Sequence, residues 1–152
     1  MYLLLAFLLG VVSGLRAMTA PAAASWAARL RFLQLSGTPL AFMGFKYTPI
    51  IFTLLAIGEL INDKLPQTPS RKVPPAFAAR VISGGLVGAC IGASTESLAL
   101  GLLAGAVGAV AGTLGGAAAR GALASAIGKD LPAALIEDVV AIVLSIVVVT
   151  RF

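Results

Sequence analysis

The chain has 152 residues, of which 59% are hydrophobic and 11% charged, and its formal net charge is +5. An ordinary soluble domain contains about 25% charged residues, and a soluble fold of this length needs more polar surface than this chain can supply. The composition therefore excludes a soluble domain and predicts one integral membrane domain, residues 1–152. The chain has no histidine, the commonest general base and metal ligand, and no nucleotide-binding motif. We therefore expect no enzymatic activity, no cofactor and no metal site.

The basic residues lie mostly in short polar stretches between long apolar blocks. Residues in such positions anchor helices at the lipid headgroups and help to set the topology. We therefore expect the lipid bilayer, and not nucleic acid, to be the partner of the positive charge.

The first apolar block runs from residue 2 to about residue 26 and predicts a transmembrane helix. A cleaved signal peptide is the alternative, but no lysine or arginine precedes the apolar run, as a signal peptide would require. Pro21 either kinks this helix or begins a separate interfacial helix. Trp26, Arg29 and Arg31 are expected to anchor its end at the membrane surface.

Four further apolar blocks are predicted to span the membrane, because about 20 apolar residues cross the hydrocarbon core. They cover residues 47–65, 77–93, 98–127 and 133–150. A loop at 36–46, a linker at 67–75, a turn at 94–97 and a break at 129–132 separate them. Asp130 is predicted as the N-cap of the last helix, with Pro132 in its first turn.

Five spans would place the first and last residues on opposite sides of the membrane. The inner side would then contain Lys64, Arg71, Lys72, Arg80, Arg120 and Lys129. The outer side would contain Arg29, Arg31, Lys46 and Arg151. This distribution favours an inner N-terminus, and insertion in both orientations is the alternative.

A short internal similarity links residues 10–14 (GVVSG) with residues 108–112 (GAVAG). With five spans, the first and last helix pairs would have inverted orientations, an arrangement common in transporters. The similarity therefore suggests an inverted repeat, and chance similarity between segments rich in glycine and alanine is the alternative.

Glycines recur every four residues in the third and fourth blocks, so they lie along one helix face. They are Gly84, Gly88, Gly92, Gly101, Gly105, Gly108, Gly112 and Gly116. A glycine stripe lets two backbones approach closely in lipid. The pattern predicts a close antiparallel hairpin at the centre of the bundle; the alternative is that the glycines line a narrow pore or allow the helices to slide.

Four acidic residues within the predicted spans are the strongest indication of a site. A charge inside a span costs about 2.5–3.5 kcal/mol on insertion scales and usually faces the bundle interior. Glu59 and Asp63 are four residues apart and share a helix face, while Glu137 and Asp138 lie near the start of the last span. In the five-span topology the two pairs lie on the same side at similar depth, so we expect them to meet.

Arg80 and Arg120 are the arginines expected to neutralise the negative charges of these acids. Three interpretations of the cluster are open. The acids form a packing clamp between helices, or they bind a cation or proton in a transport pathway, or they act as acid and base in hydrolysis. The absence of histidine and of a nucleophile makes hydrolysis the weakest of the three.

Arg16 lies about 21 Å along the first span, counted from Tyr2 at 1.5 Å per residue. At that depth it is expected to extend towards the outer interface, beyond contact with Glu59. The alternative is that it faces a cavity and binds an anionic group.

Three segments carry a family resemblance, in the same order along the chain. They are residues 14–21, the pattern from Glu59 and Asp63 to Pro66, and residues 132–139 with Glu137 and Asp138. They resemble motifs of the DUF4126 family of uncharacterised bacterial membrane proteins. The resemblance implies a multi-pass protein of the bacterial inner membrane in which the acids are a shared feature, and it implies no substrate.

The sequence thus predicts an all-α bundle of about five transmembrane helices. The leading functional hypothesis is a small cation- or proton-linked transporter or channel that uses the acids, with Arg16 and Arg120, as its site. The alternative is a structural or accessory membrane protein in which the acids form a clamp. A small ion or solute is the expected ligand of a transporter, and homo-oligomerisation through the glycine faces is a further expectation.

Overall fold

The computed structural model describes all residues from 1 to 152 and contains no β-strand. Its α-helices are α1 (Tyr2–Leu15), α2 (Thr19–Arg29), α3 (Thr48–Asn62), α4 (Pro74–Ala93), α5 (Leu98–Ile127) and α6 (Asp130–Val149). A single 3-10 turn, Ala41–Gly44, lies between α2 and α3. Helices α4, α5 and α6 are long and apolar enough to cross a membrane, whereas α1 and α3 are apolar but shorter. The predicted all-α bundle is confirmed, and its apolar helices are compatible with a membrane, whereas the number of membrane-crossing helices stays a prediction.

The first predicted span is two helices, and the chain breaks between them at residues 16–18. Arg16 has an extended backbone, with φ −141° and ψ 112°, so α1 cannot continue through it. Pro21, expected either to kink the first helix or to begin a separate one, lies inside the first turn of the separate helix α2. Proline is tolerated in a first turn, because the backbone N–H that it lacks would have no helical partner there.

Beyond the break, α2 runs antiparallel to α3. The backbone N–H groups of Ala17 and Met18 bond to Glu59 near the end of α3. Trp26 near the end of α2 donates from Nε1 to Thr53 Oγ1 in the first half of α3, at 3.0 Å. The two helices therefore pair along their lengths in opposite directions.

The connection from α2 to α3 shows that α2 returns alongside the bundle. Leu40 packs against a buried cluster that contains Ala24 and Ala27 of α2 and Val87, Cys90 and Ile91 of α4. These α4 residues lie nearer to the α4–α5 turn than Arg80, which contacts the helix break. The chain therefore reverses direction at residues 16–18, and α1 and α2 form a hairpin.

Helices α4 and α5 pack at backbone contact through glycine, in the predicted antiparallel hairpin. A Cβ atom added at Gly88 would lie 2.2 Å from the carbonyl oxygen of Gly101, and one at Gly105 would lie 2.1 Å from that of Gly84. Real Cβ atoms do not approach backbone oxygens so closely. Glycine is therefore required at these positions.

The later glycines of α5 pack against α1 and not against α4, which corrects the prediction that all of them belong to the hairpin. A Cβ atom at Gly108 would lie 2.1 Å from Phe7 O, and one at Gly112 would lie 2.3 Å from Val11 O. Helix α5 therefore lies between α4 and α1, and Gly105 packs against both helices, since a Cβ atom at Gly10 would lie 2.1 Å from the carbonyl oxygen of Gly105.

Helices α1 and α5 run parallel, because residue numbers rise together along their contact. Phe7 contacts Gly108, and Val11 contacts Gly112. In the five-span topology these two helices would run in opposite directions. The predicted inverted orientation of the first and last helix pairs is therefore wrong, since each pair starts in the same direction and returns.

The two ends of the chain lie at the same end of the bundle. Met1 and Leu5 line one cavity together with Val148 and Arg151. The predicted arrangement, with the first and last residues on opposite sides, is wrong because the hairpin at residues 16–18 adds a reversal that the five-span topology lacks.

Helices α4 and α6 start earlier than the apolar pattern indicated. Helix α4 begins at Pro74, three residues before the predicted start, because proline is favoured in a first turn. Helix α6 begins at Asp130, so Lys129 occupies the N-cap position predicted for Asp130. Asp130 is instead the first helical residue, where its negative charge interacts favourably with the partial positive charge of the helix N-terminus.

Candidate functional site

Ten charged side chains meet where the helix break contacts α3, α4, α5 and α6. We call them the charge network. Its basic members are Arg16, Lys64, Arg71, Arg80 and Arg120, and its acidic members are Glu59, Asp63, Asp130, Glu137 and Asp138. Five positive and five negative charges balance, and only one of the chain's six acidic residues, Glu96, lies outside the network.

Arg16 is at the centre of the network and is fully buried. Its Nε donates to Asp138 Oδ1 at 2.7 Å, and its Nη1 lies 2.6 Å from Asp63 Oδ2. A third carboxylate, that of Glu137, lies 3.5 Å from Nη2. The planar guanidinium, with five N–H donors, is suited to bridging several carboxylates at once. Arg16 thus joins the helix break to α3 and α6.

Glu59 and Arg80 satisfy the backbone groups that the helix break leaves without helical partners. The carboxylate of Glu59 accepts hydrogen bonds from the N–H groups of Ala17 and Met18, both at 2.8 Å. Arg80 Nη1 donates to the carbonyl oxygens of Gly14 at 3.0 Å and Leu15 at 2.7 Å. Buried backbone groups of this kind would otherwise have no hydrogen-bond partner.

The signs of these two charges match the helix ends that they contact. A helix N-terminus carries a partial positive charge and a C-terminus a partial negative charge. Glu59 therefore lies at the favourable end of α2, and Arg80 at the favourable end of α1. The two side chains also form a loose ion pair, with Arg80 Nη2 3.6 Å from Glu59 Oε1.

Glu137 on α6 pairs with Arg71 from the linker before α4. Arg71 Nη2 donates to Glu137 Oε2 at 2.8 Å, and its Nη1 bonds to the other carboxylate oxygen. Gly116 makes room for this pair, because a Cβ there would lie 3.1 Å from Arg71 Nη1 and 2.4 Å from Leu15 Cδ2. A glycine predicted as a packing residue therefore also admits an ion pair.

Arg120 on α5 joins Asp63 to Asp130. Its Nη1 donates to Asp63 Oδ2 at 2.8 Å, and its Nε and Nη2 donate to the two oxygens of Asp130. Burial raises the pKa of Asp63, which follows the last residue of α3, but Arg16 and Arg120 outweigh it and hold that pKa below 3.8. Asp63 is therefore ionised at neutral pH.

Lys64 completes the network beside Asp63. Its Nζ donates to Asp138 and to the carbonyl oxygen of Leu60. Asp138 is thus held between Lys64 and Arg16.

An open cleft leads from the surface to one side of the network. Its volume is about 460 Å³, and it is lined by the linker between α3 and α4 and by the last third of α5. The charged residues of its lining are Asp63, Lys64, Arg71, Arg120 and Asp130. Glu59, Glu137 and Asp138 do not line the cleft, so three of the four acids predicted from the sequence lie behind its wall.

The structure brings together all six residues predicted as a site, namely Arg16, Glu59, Asp63, Arg120, Glu137 and Asp138. Their role as a binding site stays a prediction. The position expected for Arg16 is wrong: it does not extend to the membrane surface, because the hairpin surrounds it with the ends of α3 and α6. Arg80 and Arg120 both contact the acids, at 3.6 Å from Glu59 and 2.8 Å from Asp63.

Sequence reasoning did not assign Lys64, Arg71 and Asp130 to the site. Arg71 stands beside Lys72 in a polar linker, and nothing in the sequence distinguishes the buried arginine from the exposed lysine. Asp130 was assigned to capping alone. Lys64 could have been predicted as a partner of the acids, because it directly follows Asp63 and lies within the apolar block.

No group of three or more His, Cys, Asp or Glu side chains is arranged to hold a metal ion. Each carboxylate of the network has an arginine or lysine as its partner, which occupies the place that a cation would take.

Comparison with known families gives one match. A family model described as a domain of unknown function, DUF4126, matches residues 3–151 of the chain. No curated protein and no solved structure matches it.

Proposed function

The chain belongs to the DUF4126 family, and we propose that it is a structural or accessory membrane protein in which the charge network clamps the helices together. The proposed role is not enzymatic. The observation that carries the proposal is the pairing itself. Each of the four acids predicted from the sequence lies within 3.6 Å of a basic nitrogen, and the formal charges of the network sum to zero.

The physical need for a clamp follows from the helix break. Lipid offers no hydrophobic drive between helices, so packing and polar contacts must hold them. A chain reversal at residues 16–18 also exposes backbone groups that lipid cannot satisfy. Glu59 and Arg80 supply partners for four of these groups, and each is supplied by a different helix. The clamp therefore fixes the hairpin to α3 and α4.

The pairing disfavours a cation site within the network. A carboxylate that binds a transported cation needs a free lone pair and access from water. Glu59, Glu137 and Asp138 do not line the cleft and are engaged by arginine or lysine. A cation at this position would have to displace a fixed positive charge.

Cation- or proton-linked transport is the second candidate, and one observation favours it. The cleft reaches Asp63 and Arg120, which contact the network from its open side. Transporters place their sites at broken helices within the membrane, and Asp63 pairs with Arg16 at such a break. In this alternative the ion pairs exchange partners when the protein changes conformation.

Proton, Na⁺ and K⁺ flux in proteoliposomes distinguishes the two functions when it is combined with thermal unfolding in detergent. The variants are Glu59→Gln and Glu137→Gln, which remove the charge and keep the side-chain size. The clamp predicts no flux above empty liposomes for the native chain. It also predicts that each variant loses about 3 kcal/mol of stability, because a buried positive charge loses its partner.

Glu96→Gln is the matched control, because Glu96 lies in the exposed turn between α4 and α5 and contacts no network residue. It should unfold at the temperature of the native chain. Flux that is present in the native chain and in Glu96→Gln but collapses in both network variants would refute the clamp as the sole role and establish transport.

A further inference from the structure

The cleft beside the charge network has features of a ligand site that the clamp does not require. Its volume of about 460 Å³ falls within the roughly 300–1,000 Å³ typical of small-molecule sites. Its lining is mostly polar, with hydroxyl groups from Thr68 and Ser70 beside the charged residues. A clamp needs only closed contacts between helices, so an open polar cleft at this place calls for a separate explanation.

Basic groups outnumber acidic groups on the cleft wall. Lys64, Arg71 and Arg120 line it, against Asp63 and Asp130. Both of these acids are bonded to Arg120. The carboxylates that pair with Lys64 and Arg71 belong to Asp138 and Glu137, which do not line the cleft. The charged groups that line the cleft are therefore three basic and two acidic.

Two of these basic groups, Lys64 and Arg71, retain donors that the network does not use. Lys64 Nζ has three N–H donors and makes two hydrogen bonds, to Asp138 and Leu60 O. Arg71 has five, and its hydrogen bonds to Glu137 involve only Nη1 and Nη2. The carboxylates behind the wall thus hold the basic groups in place and leave N–H groups for a ligand.

Further positive charge lies next to the cleft. Lys72 follows Arg71 in the linker, and Lys129 precedes Asp130 at the start of α6; both are exposed and neither forms a salt bridge. The cleft is at the end of the bundle where α3 ends and α4 and α6 begin. Helix ends of a membrane protein lie at the level of the lipid headgroups, where basic pockets between helices bind phosphate-bearing headgroups.

We propose that the cleft lined by Lys64, Arg71 and Arg120 binds a phosphate group, carried by an anionic phospholipid headgroup or as free phosphate. Two guanidinium groups and an ammonium group are the usual partners of phosphate oxygens. The inference is independent of the clamp, because the clamp requires only the bonds behind the wall.

Gly121 allows the cleft to be filled without touching the network. It lines the cleft, and a Cβ added there meets no atom within 4 Å. The variant Gly121→Leu places a side chain at the wall and improves helix propensity, so the fold should be kept. Gly115→Leu is the matched control: its Cβ also meets nothing within 4 Å, it lies on the same helix, and it does not line the cleft.

The experiment measures binding to the full-length protein in detergent micelles by thermal shift and native mass spectrometry. The probes are dioleoylphosphatidylglycerol, dioleoylphosphatidylcholine as the neutral-headgroup comparison, and sodium phosphate against sodium chloride at equal ionic strength. We expect the native chain and Gly115→Leu to bind a phosphate-bearing probe at least about tenfold more tightly than Gly121→Leu, a loss large enough to be read directly in the titration.

Preference for phosphatidylglycerol without a response to inorganic phosphate would support the site and identify its source as a lipid headgroup. A response to inorganic phosphate that Gly121→Leu abolishes would support the site with free phosphate as its source. The proposal is overturned if the native chain responds to neither probe, or if Gly121→Leu binds as well as Gly115→Leu. These binding measurements do not depend on flux or on the stability of the clamp. The phosphate site can therefore be refuted without refuting the clamp.

Discussion

Arg16 illustrates how a single buried charge depends on its surroundings. An unpaired guanidinium in lipid is costly, and a position about 21 Å along an uninterrupted span would force the side chain towards the surface. The break at residues 16–18 removes that requirement by bringing the ends of α3 and α6 to the same place. Asp63 and Asp138 then lie within 2.6 Å of Arg16 nitrogens. The charge is tolerated because it is bonded on several sides.

Arg16→Met is expected to be strongly destabilising. It leaves Asp63 and Asp138 with fewer partners in a buried site, and removing one member of a buried ion pair costs about 3–5 kcal/mol. Arg16→Lys should recover only part of this, because one ammonium cannot reproduce the planar bonds to two carboxylates. Thermal unfolding in detergent measures the stability of both variants. Lys72→Met, at an exposed position outside the network, is the control, and equal melting temperatures for it and Arg16→Met would contradict the central role of Arg16.

Asp63 makes stability depend on pH at the acidic end. Its folded-state pKa lies below the ordinary value of 3.8, because Arg16 and Arg120 outweigh the burial that raises it. Folding therefore favours the ionised carboxylate. The stabilisation is complete above about pH 4 and is lost as the pH falls through the lower, folded-state pKa.

The check on this pH dependence compares the native chain with Asp63→Asn in unfolding experiments between pH 7 and pH 2. The native chain should be the more stable at neutral pH, and the difference should shrink below about pH 4. A difference that stays constant down to pH 2 would show that the charge of Asp63 contributes nothing.

At the scale of helices, glycine decides which elements touch. Helix α5 contacts α4 through Gly101 and Gly105, and it contacts α1 through Gly105, Gly108 and Gly112. Without side chains at these points, the backbones approach closely enough for extensive van der Waals contact, which is the main drive for helix association in lipid. Glycines of the same helix that face away from the bundle, such as Gly115, serve no such contact.

Gly88→Ala is therefore expected to disrupt the α4–α5 contact. Its Cβ would lie 2.2 Å from Gly101 O and 2.8 Å from Gly105 Cα, so the helices must separate. Overpacking of this kind costs about 1–3 kcal/mol or more. Gly115→Ala has open space for its Cβ and should be neutral or slightly stabilising, because alanine favours helix over glycine. Thermal unfolding of the two variants checks this, and equal losses would show that the backbone contact is not required.

At the scale of the whole molecule, the hairpin of α1 and α2 determines how the chain is arranged across the bundle. It returns the chain to the side from which it started, so α3 begins where α1 began. Met1 and Arg151 then lie at one end of the bundle, and the α3–α4 linker with the phosphate cleft lies at the other. A five-span bundle would instead place residue 1 on the side of the linker.

Cysteine labelling tests this arrangement. In a Cys90→Ala background, Leu3→Cys, Lys72→Cys and Arg151→Cys are exposed to a membrane-impermeant maleimide in intact cells and after lysis. We expect positions 3 and 151 to react alike and position 72 to react oppositely. Labelling of positions 3 and 72 from the same side, with position 151 from the other, would contradict the hairpin.

Some features of this protein could be predicted from its sequence, and others could not. Composition and block length were enough to predict a helical membrane protein, because they depend on how many apolar residues follow one another. The four-residue glycine spacing indicated the α4–α5 hairpin, since a helix places such residues on one face whatever its neighbours are. The acids were noticed because charge is rare and costly in an apolar span.

Only the tertiary structure decided where the first block reverses and which basic residue each acid contacts. Pro21 indicated a kink or the start of a second helix, and it lies in the first turn of α2, but no local pattern predicted that the chain reverses at residues 16–18. The break is stable because Glu59 and Arg80, which are distant in sequence, satisfy its backbone groups. The sequence by itself thus determined the class of fold and the residues able to form a polar site, whereas long-range contacts determined the topology and the pairing, since both depend on partners that no local pattern records.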